Sequence, residues 1–430
     1  MRRFASLLAP LRSRDFRLVW VGQVISLVGS ACSGVALVWL LVGLTGSSTQ
    51  MGLILSASYY PALLLLLFGG AVADRYNGRV VALISDGMNA LATLALALLV
   101  TLGKVTLAEV FVFSLLSGLT SAFFNPALSA FYPSLTDADL YDAAASLRQM
   151  STQFATLIGP ALAGYIIAQW STGVALAVDA ASFVVSFLSL SIVRTRQSQA
   201  RQAKGSGDAT PLRRGSIWRQ MFAGFGWLRG EPGVLALFIL FSLTNGLNDV
   251  EAVLVPRLAR LDLKLTATEF GLLASCMGAG ALIGALVAGI LAPRMRWRIQ
   301  AICGAMVAFG GAIAAMGLAS GPLALDAAYV VMGAAFATPE VIFGGMLLRL
   351  IPAEARGRVF SLVGLIAMAL NPPGLYLAGV LGDTVGNRAG LWIGGGAIMA
   401  LAIVALLIPA VRALNGRVTP ETAGATSVAL

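Results

Sequence analysis

Read from the amino terminus, the chain alternates long apolar runs with short polar connections. Twelve runs stand out, near 18–43, 51–73, 80–102, 107–129, 146–170, 174–193, 234–256, 268–292, 299–318, 323–348, 359–381 and 389–411. A segment of about 20 apolar residues spans a bilayer core. Backbone N–H and C=O groups left unpaired in lipid are costly, so each run is predicted to be a helix. The pattern therefore predicts an all-α polytopic membrane protein with twelve transmembrane helices. The longest connection, 194–233, parts the runs six and six. It divides the chain into a six-helix bundle at 1–193, a linker at 194–233, a second six-helix bundle at 234–411 and a tail at 412–430.

Composition agrees: 58% of the 430 residues are hydrophobic and 11% are charged. A soluble domain carries roughly 25% charged residues, so this chain cannot cover itself with polar surface. Charge supplies the orientation. With both termini inside, 24 of the 29 Lys and Arg residues fall on the cytoplasmic side, and Lys104, Arg257, Arg260, Lys264 and Arg388 remain outside. That asymmetry is a positive-inside signal. The net charge of +10 thus reports topology, and no nucleic-acid partner is expected. The predicted location is the inner (plasma) membrane, multi-pass, with both termini cytoplasmic. Arg2, Arg3, Arg12, Arg14 and Arg17 precede a first span too long for a signal h-region, so no cleaved signal is expected. Cys32, Cys276 and Cys303 all lie within spans and offer no disulfide framework.

The linker opens as "RTRQSQARQAKGSGDATPLRRGS", a flexible basic stretch. It continues as "IWRQMFAGFGWLRG", where Ile217, Met221, Phe222, Phe225 and Leu228 share a helical face. Such a helix lies on the inner leaflet or packs on the protein. The two halves are related. "GAVADRYNGR" (70–79) aligns without gaps on "GILAPRMRWR" (289–298), and "GPALAG" (159–164) matches "GLYLAG" (374–379) in corresponding spans. Parallel repeats around a midplane site are a transporter pattern.

The hairpin "GGAVADRYNGR" (69–79) resembles the motif of the major facilitator superfamily between helices two and three, with one extra residue before Gly78. That variant, with "SRDFRLVWVGQVISLVGS" (13–30), "FNPALSAFYPSL" (124–135) and "IPAEARGRVFSL" (351–362), is similar to the branch containing macrolide-efflux and enterobactin-exporter-like proteins. The resemblance covers nearly the whole chain. It implies the major facilitator fold, two pseudo-symmetric six-helix bundles working by alternating access. One departure is that span four contains no Arg, where many proton-coupled relatives carry a basic residue.

The resemblance also implies a role for the hairpin. It places Asp74 at the inner surface opposite the start of span eleven, near Arg356 and Arg358. The amino end of a helix carries partial positive charge, so Asp74 can latch the cytoplasmic gate. Gly70 and Gly78 permit a tight turn and close approach, and Arg75 and Arg79 complete the gating motif. A plainer reading makes Arg75 and Arg79 topology anchors. Pro293 at the place matching Asp74 suggests that only one half has the latch.

In this superfamily spans one, four, seven and ten line the cavity, and each carries a polar stripe. Span one has Gln23, Ser26, Ser30 and Ser33; span four has Ser114, Ser117, Ser121 and Asn125. Span seven has Thr244, Asn245, Asn248 and Asp249; span ten has Tyr329, Phe336 and Glu340. These spacings put each set on one helix face. Faces of this kind should look inward, or serve as hydrogen bonds between helices. Glu340 lies nine residues before Arg349, about 13 Å from the inner end of its helix at 1.5 Å per residue. Asp249 and Glu251, two apart, cannot both face a cavity on a regular helix. Asp86 and Asp179 lie nearer span ends and read as structural.

With no His, no Cys cluster and no phosphate loop, the chain offers no residues for triads or common metal sites. No enzymatic activity, metal or cofactor is expected. Any proton carrier must be a carboxylate. The expected function is secondary active export, proton-coupled, of amphipathic neutral or cationic small molecules such as drugs or natural products. The expected site residues are Glu340, Asp249, Asn245, Asn248, Gln23, Ser26, Ser30, Asn125, Tyr329 and Phe336. The alternatives are siderophore export, lysophospholipid or lipid flipping, and a non-transporting membrane receptor. A siderophore carrier should show basic cavity residues to meet an anion, and a receptor a large soluble ligand-binding domain; neither is evident. The partners expected are a small-molecule substrate, the bilayer and the proton, for a chain acting as a monomer.

Overall fold

The computed structural model describes residues 7–66, 77–193, 226, 228–351, 359, 364, 366 and 368–417. Among them the helices are α1 (Arg14–Leu44), α2 (Ser48–Ala57), α3 (Tyr59–Leu66), α4 (Gly78–Thr101), α5 (Leu107–Phe131), α6 (Tyr141–Gln169) and α7 (Thr172–Ile192). They continue as α8 (Pro232–Arg257), α9 (Ala267–Leu291), α10 (Arg298–Met316), α11 (Pro322–Leu350), α12 (Asn371–Val385), α13 (Asn387–Leu407) and α14 (Pro409–Arg417). No strand occurs among the described residues. Ten of these helical segments are long and apolar enough to cross a membrane. The other two apolar runs, 51–73 and 359–381, each extend into residues outside the described set.

The helices begin where side chains replace missing backbone partners. Ser13 accepts from Phe16 N–H, Asn77 from Arg79 N–H and Ser171 from Val174 N–H. At α9, Glu269 accepts from Thr266 N–H at 2.8 Å while Thr266 Oγ1 accepts from Glu269 N–H at 3.3 Å. That reciprocal arrangement satisfies two of the orphan donors of a helix start. Large apolar side chains also stand on the outer surface: Leu91 is 72% exposed, Leu286 67% and Leu323 82%. A water-soluble surface would not carry so many, and lipid provides their cover.

Two compact units form. Unit 1 holds Met1–Thr45, Ala57–Arg214 and Thr266–Ser275; unit 2 holds Gly46–Ser56, Gly215–Leu265 and Cys276–Leu430. Two short segments, 46–56 and 266–275, thus join the unit opposite to the rest of their sequence half. Within unit 1, α1 and α4 pack on α7; within unit 2, α8 and α10 pack on α13. The helices of the first and third apolar runs of each half therefore meet that of its sixth, which is the architectural counterpart of the sequence repeat. Unit 1 has a core around Phe16, Val19, Phe131, Leu147 and Leu190. The core of unit 2 surrounds Leu237, Ile299, Ile302, Met346 and Leu414.

One boundary changes. Residues 412–417, expected to begin a tail, are the last turns of the docked helix α14. Val411 and Leu414 are buried in the unit 2 core, and Asn415 Oδ1 accepts from Ile299 N–H at 3.0 Å, capping α10. Leu228, from the expected amphipathic face of the linker, is likewise buried in that core. The remainder of that face lies outside the described residues.

Candidate functional site

Of the gating motif, Gly78 and Arg79 are described, while Gly70, Asp74, Arg75, Arg356 and Arg358 lie outside the described residues. A Cβ on Gly78 would come within 2.6 Å of Ala127 O, so this glycine lets α4 lie against α5. Arg79 donates from Nε to Leu190 O at 2.8 Å and from Nη2 to Ser191 O at 2.6 Å. These are carbonyls of the last turn of α7, which have no donors within their own helix. A cation there also meets the negative end of the helix dipole. Arg79 is therefore a clasp between α4 and α7 within unit 1.

The polar stripe of span one turns toward α7. Gln23 Nε2 donates to Ser186 Oγ at 2.7 Å, and Ser186 Oγ donates to Asp86 Oδ2 at 2.5 Å. Ser30 Oγ donates to Asp179 Oδ1 at 3.4 Å, and Ser182 Oγ donates to Asp179 O at 2.8 Å. Ser26 is buried on the same face, between Gly22 and Gly29, whose missing side chains admit Ser189 and Ser182. Gln23 and Ser30, expected in a cargo cavity, bond to α7 in this structure, and Ser26 is buried beside them. Buried polar atoms in lipid need partners, and α7 supplies them to Gln23 and Ser30. Asn125 is exposed and donates from Nδ2 to Ser121 O of its own helix at 3.3 Å.

Spans seven and ten behave differently. Asn245, Asn248, Phe336 and Glu340 line one cavity in unit 2, with Phe241, Thr244, Met306, Phe309, Ala335 and Pro339. The cavity holds about 70 Å³. Pockets for drug-sized ligands run to roughly 300–1,000 Å³, so this space suits one functional group of a larger molecule. Its polar lining is dominated by acceptors. Asn248 Oδ1 and Thr244 Oγ1 are buried without hydrogen-bond partners among the described residues. Glu340 is exposed at the cavity. Pro339 lies inside α11 and has no N–H, which leaves the carbonyl of Ala335 without its helical donor. No Lys, Arg or His lines the space.

Aromatic rings form the remaining wall. Phe309 and Phe336 have centroids 5.9 Å apart, and behind Phe241 lies Phe343 at 4.8 Å, stacked. Ring faces attract cations. Carboxylate, free oxygens and ring faces together make a site for a positively charged donor.

Two expected members lie elsewhere in unit 2. Asp249 is buried against α12, where a Cβ on Gly374 would collide with its Oδ2. Tyr329 donates to Glu251 rather than approaching Glu340. Residues not anticipated are Phe241, Met306, Phe309, Ala335 and Pro339. Met306 and Phe309 sit on an all-round apolar helix, where no polar stripe marks an inward face. Pro339, beside Glu340 in the middle of a long apolar run, is the one signal that could have drawn attention.

At one end of unit 2 a third cluster binds the segment 46–56. Asp383 of α12 accepts from Ser48 N–H at 2.7 Å, Thr49 N–H at 3.0 Å and Ser47 Oγ at 2.5 Å. Burial would raise its pKa, but the bonds from Ser47, Thr49 and Ser48 outweigh it and hold the carboxyl below the usual carboxylate range. Its contribution is present at neutral pH and is lost only as pH falls through that depressed value.

Comparison with known proteins agrees with this architecture. The chain is 25% identical over 405 residues to macrolide efflux protein A of Streptococcus pyogenes, covering 93% of this chain and 97% of the relative. It is 28% identical over 395 residues to the multidrug efflux pump Tap of Mycolicibacterium fortuitum, covering 90% and 94%. Its fold is similar to that of the nucleoside transporter NupG, with a TM-score of 0.69 at 16% identity over 92% of this chain and 98% of the other. The family model of the Major Facilitator Superfamily matches residues 19–370 and 250–430. With that match over most of its length, this polytopic helical chain belongs to the Major Facilitator Superfamily of membrane transporters.

Proposed function

We propose that this protein is a proton-coupled exporter of amphipathic small molecules that carry a protonated amine, working by alternating access with twelve helices in two six-helix bundles. The observation that carries the reading is the cavity of unit 2. Glu340, the free oxygens of Asn248 and Thr244 and the rings of Phe241, Phe309 and Phe336 line one space without a basic residue. A cation held there by Glu340 competes with a proton for the same carboxylate, and protonation removes the charge that holds it. That competition converts a proton gradient into export. The small volume supports a reading in which the cavity takes the amine and the apolar body of the cargo lies outside it. The printed names of the relatives, which describe macrolide and multidrug efflux, favour the same reading. An anionic siderophore finds no positive group here.

In this reading the protein sits in the plasma membrane with both termini cytoplasmic, acts as a monomer, and uses Asp74 as its cytoplasmic latch. Asp249, Asn245 and Asn125 remain candidates for contact with the cargo body in other states of the cycle. The test is efflux from cells loaded with matched cationic, neutral and anionic amphipathic dyes. Export of the cationic dye, collapsed by a protonophore, is the expected result; export of the anionic dye alone would overturn the reading. For topology, a cysteine at Ser206, in the linker, should react with a membrane-impermeant thiol reagent only after permeabilisation. Labelling in intact cells would place the linker outside.

A further inference from the structure

We propose that Asp383 is a gating residue of the transport cycle: by capping the amino end of α2 from a neighbouring helix, it holds the docking of residues 46–56 closed and must let go once per cycle. The inference rests on the transport reading above, but not on what is carried.

Asp383 stands in the last turn of α12, which ends at Val385. A negative charge there faces the negative end of its own helix dipole and is unfavourable for α12. Compensation comes from α2. Ser48 and Thr49 are the first residues of that helix, and their N–H groups are among the four that a helix leaves unpaired. The carboxylate takes both, one on each oxygen. Around this contact the backbones are close enough to require glycine. A Cβ on Gly379 would strike Ser48 O, one on Gly382 would lie 2.8 Å from Ser48 Oγ, and one on Gly52 would strike Leu375 O. Arg257 Nη2 donates to Gly46 O at 2.8 Å and holds the connection that leads into α2. Asp383, Arg257 and the glycine seam therefore grip one short segment, and that segment comes from the other half of the sequence.

The internal repeat shows why Asp383 is special. Gly379 of "GLYLAG" corresponds to Gly164 of "GPALAG", and Gly164 seats the start of α9 in unit 1. A Cβ on Gly164 would lie 2.5 Å from Ala267 O and 3.0 Å from Gly271 Cα. Ala161 N–H donates to Ser275 Oγ at 3.1 Å, and Trp39 packs on Phe270 at 5.4 Å. Four residues beyond Gly164, the place of Asp383 is taken by Ala168. Both helices have a local cap, Ser47 Oγ for Gln50 N–H and Thr266 Oγ1 for Glu269 N–H. But α9 also supplies its own carboxylate, Glu269, to Thr266 N–H, where α2 takes Asp383 for Ser48 and Thr49. The α9 cap survives undocking. The α2 cap of Ser48 and Thr49 exists only while α2 is docked, so its free energy is tied to one conformation. A ligand or contact that favours one state alone shifts the balance between states.

Hydrogen–deuterium exchange of the full chain in lipid nanodiscs, without cargo, tests this. In Asp383→Ala the 46–56 peptide should exchange about five-fold faster or more, the usual scale for losing an N-cap. If the cap is a gate, the 266–275 peptide should lose protection as well, although Asp383 touches none of it, because both dockings open in one transition. Asp383→Asn, which keeps the size and one acceptor oxygen, should show a smaller effect in both peptides, and carries the test if the Ala variant does not fold. The 298–316 peptide serves as the measure of intact folding. Loss of protection confined to 46–56 would make Asp383 a local cap and overturn the gating role, as would no change at all. Failure of cationic efflux would overturn the assignment of a cationic cargo and leave this result untouched.

Discussion

Glu340→Gln is expected to abolish proton-driven export of cationic cargo while leaving the protein folded. Gln keeps the volume and hydrogen-bonding capacity of the side chain and mimics its protonated form. Among the described residues Glu340 has no basic partner, so its neutralisation strands no opposite charge. The loss is therefore expected in binding and coupling and not in stability. A charge-assisted hydrogen bond is worth about 1.5–3 kcal/mol, so efflux of a cationic dye should fall tenfold or more and its dependence on the pH gradient should vanish. Asn248→Leu removes one of the unpartnered oxygens and should weaken cationic cargo less while retaining the pH dependence. Asp249→Asn, whose carboxylate lies against Gly374 of α12, should have the mildest effect. Parental rate and parental pH dependence in Glu340→Gln, with every dye, would show that this carboxylate takes no part in coupling.

Gly333→Val is expected to disrupt the fold of unit 2. At this crossing α9 and α11 touch backbone to backbone. A Cβ on Gly333 would strike Met277 O and lie 2.8 Å from Ala281 N; one on Gly280 would lie 2.9 Å from Val330 Cα, and one on Gly284 2.6 Å from Ala334 Cα. Backbone atoms cannot turn aside as a side chain can, so the whole helix must move. In a membrane, where helices associate through packing of small residues, that removes the contact that holds them. Overpacking a well-fitted site costs about 1–3 kcal/mol, and three glycines share this one. A thermal midpoint lower by about 5 °C or more, or loss of a monodisperse species in detergent, is expected. Gly304→Ala is the control: nothing lies within 4 Å of its added carbon, and Ala is the better helix former. Equal behaviour of the two variants would show that the crossing is looser than the structure has it. Ala335 of the cavity is two residues from Gly333, so milder variants here should also weaken cargo binding.

The sequence by itself determined the apolar helices and the number of apolar runs, and it carried the expectation of sidedness and of related halves. These are local or summed properties. Twenty apolar residues select a helix whatever surrounds them, and positive charge counts on each side of the membrane. The stretches "GPALAG" and "GLYLAG" were legible as a repeat between halves, while the close helix approach at their glycines came from the structure. What the sequence could not say is which neighbour each polar face meets. The stripe of Gln23 and Ser30 and the stripe of Asn245 and Asn248 have the same helical spacing. The first is answered by Ser186 and Asp179 of α7; the second keeps unpaired oxygens beside Glu340. The difference lies in residues more than a hundred positions away. Asp249 and Glu251 divided in the same manner, one set against Gly374 and the other bonded by Tyr329. Met306 and Phe309 became cavity walls only because α10 packs on α11. Asp383, an unremarkable acid at the end of a short helix, acquired its role from two N–H groups of a segment more than three hundred residues earlier. Tertiary structure decided these matters because a buried polar group or an unpaired helix end is satisfied by whatever the fold brings within hydrogen-bond distance, and distance along the chain carries no information about that.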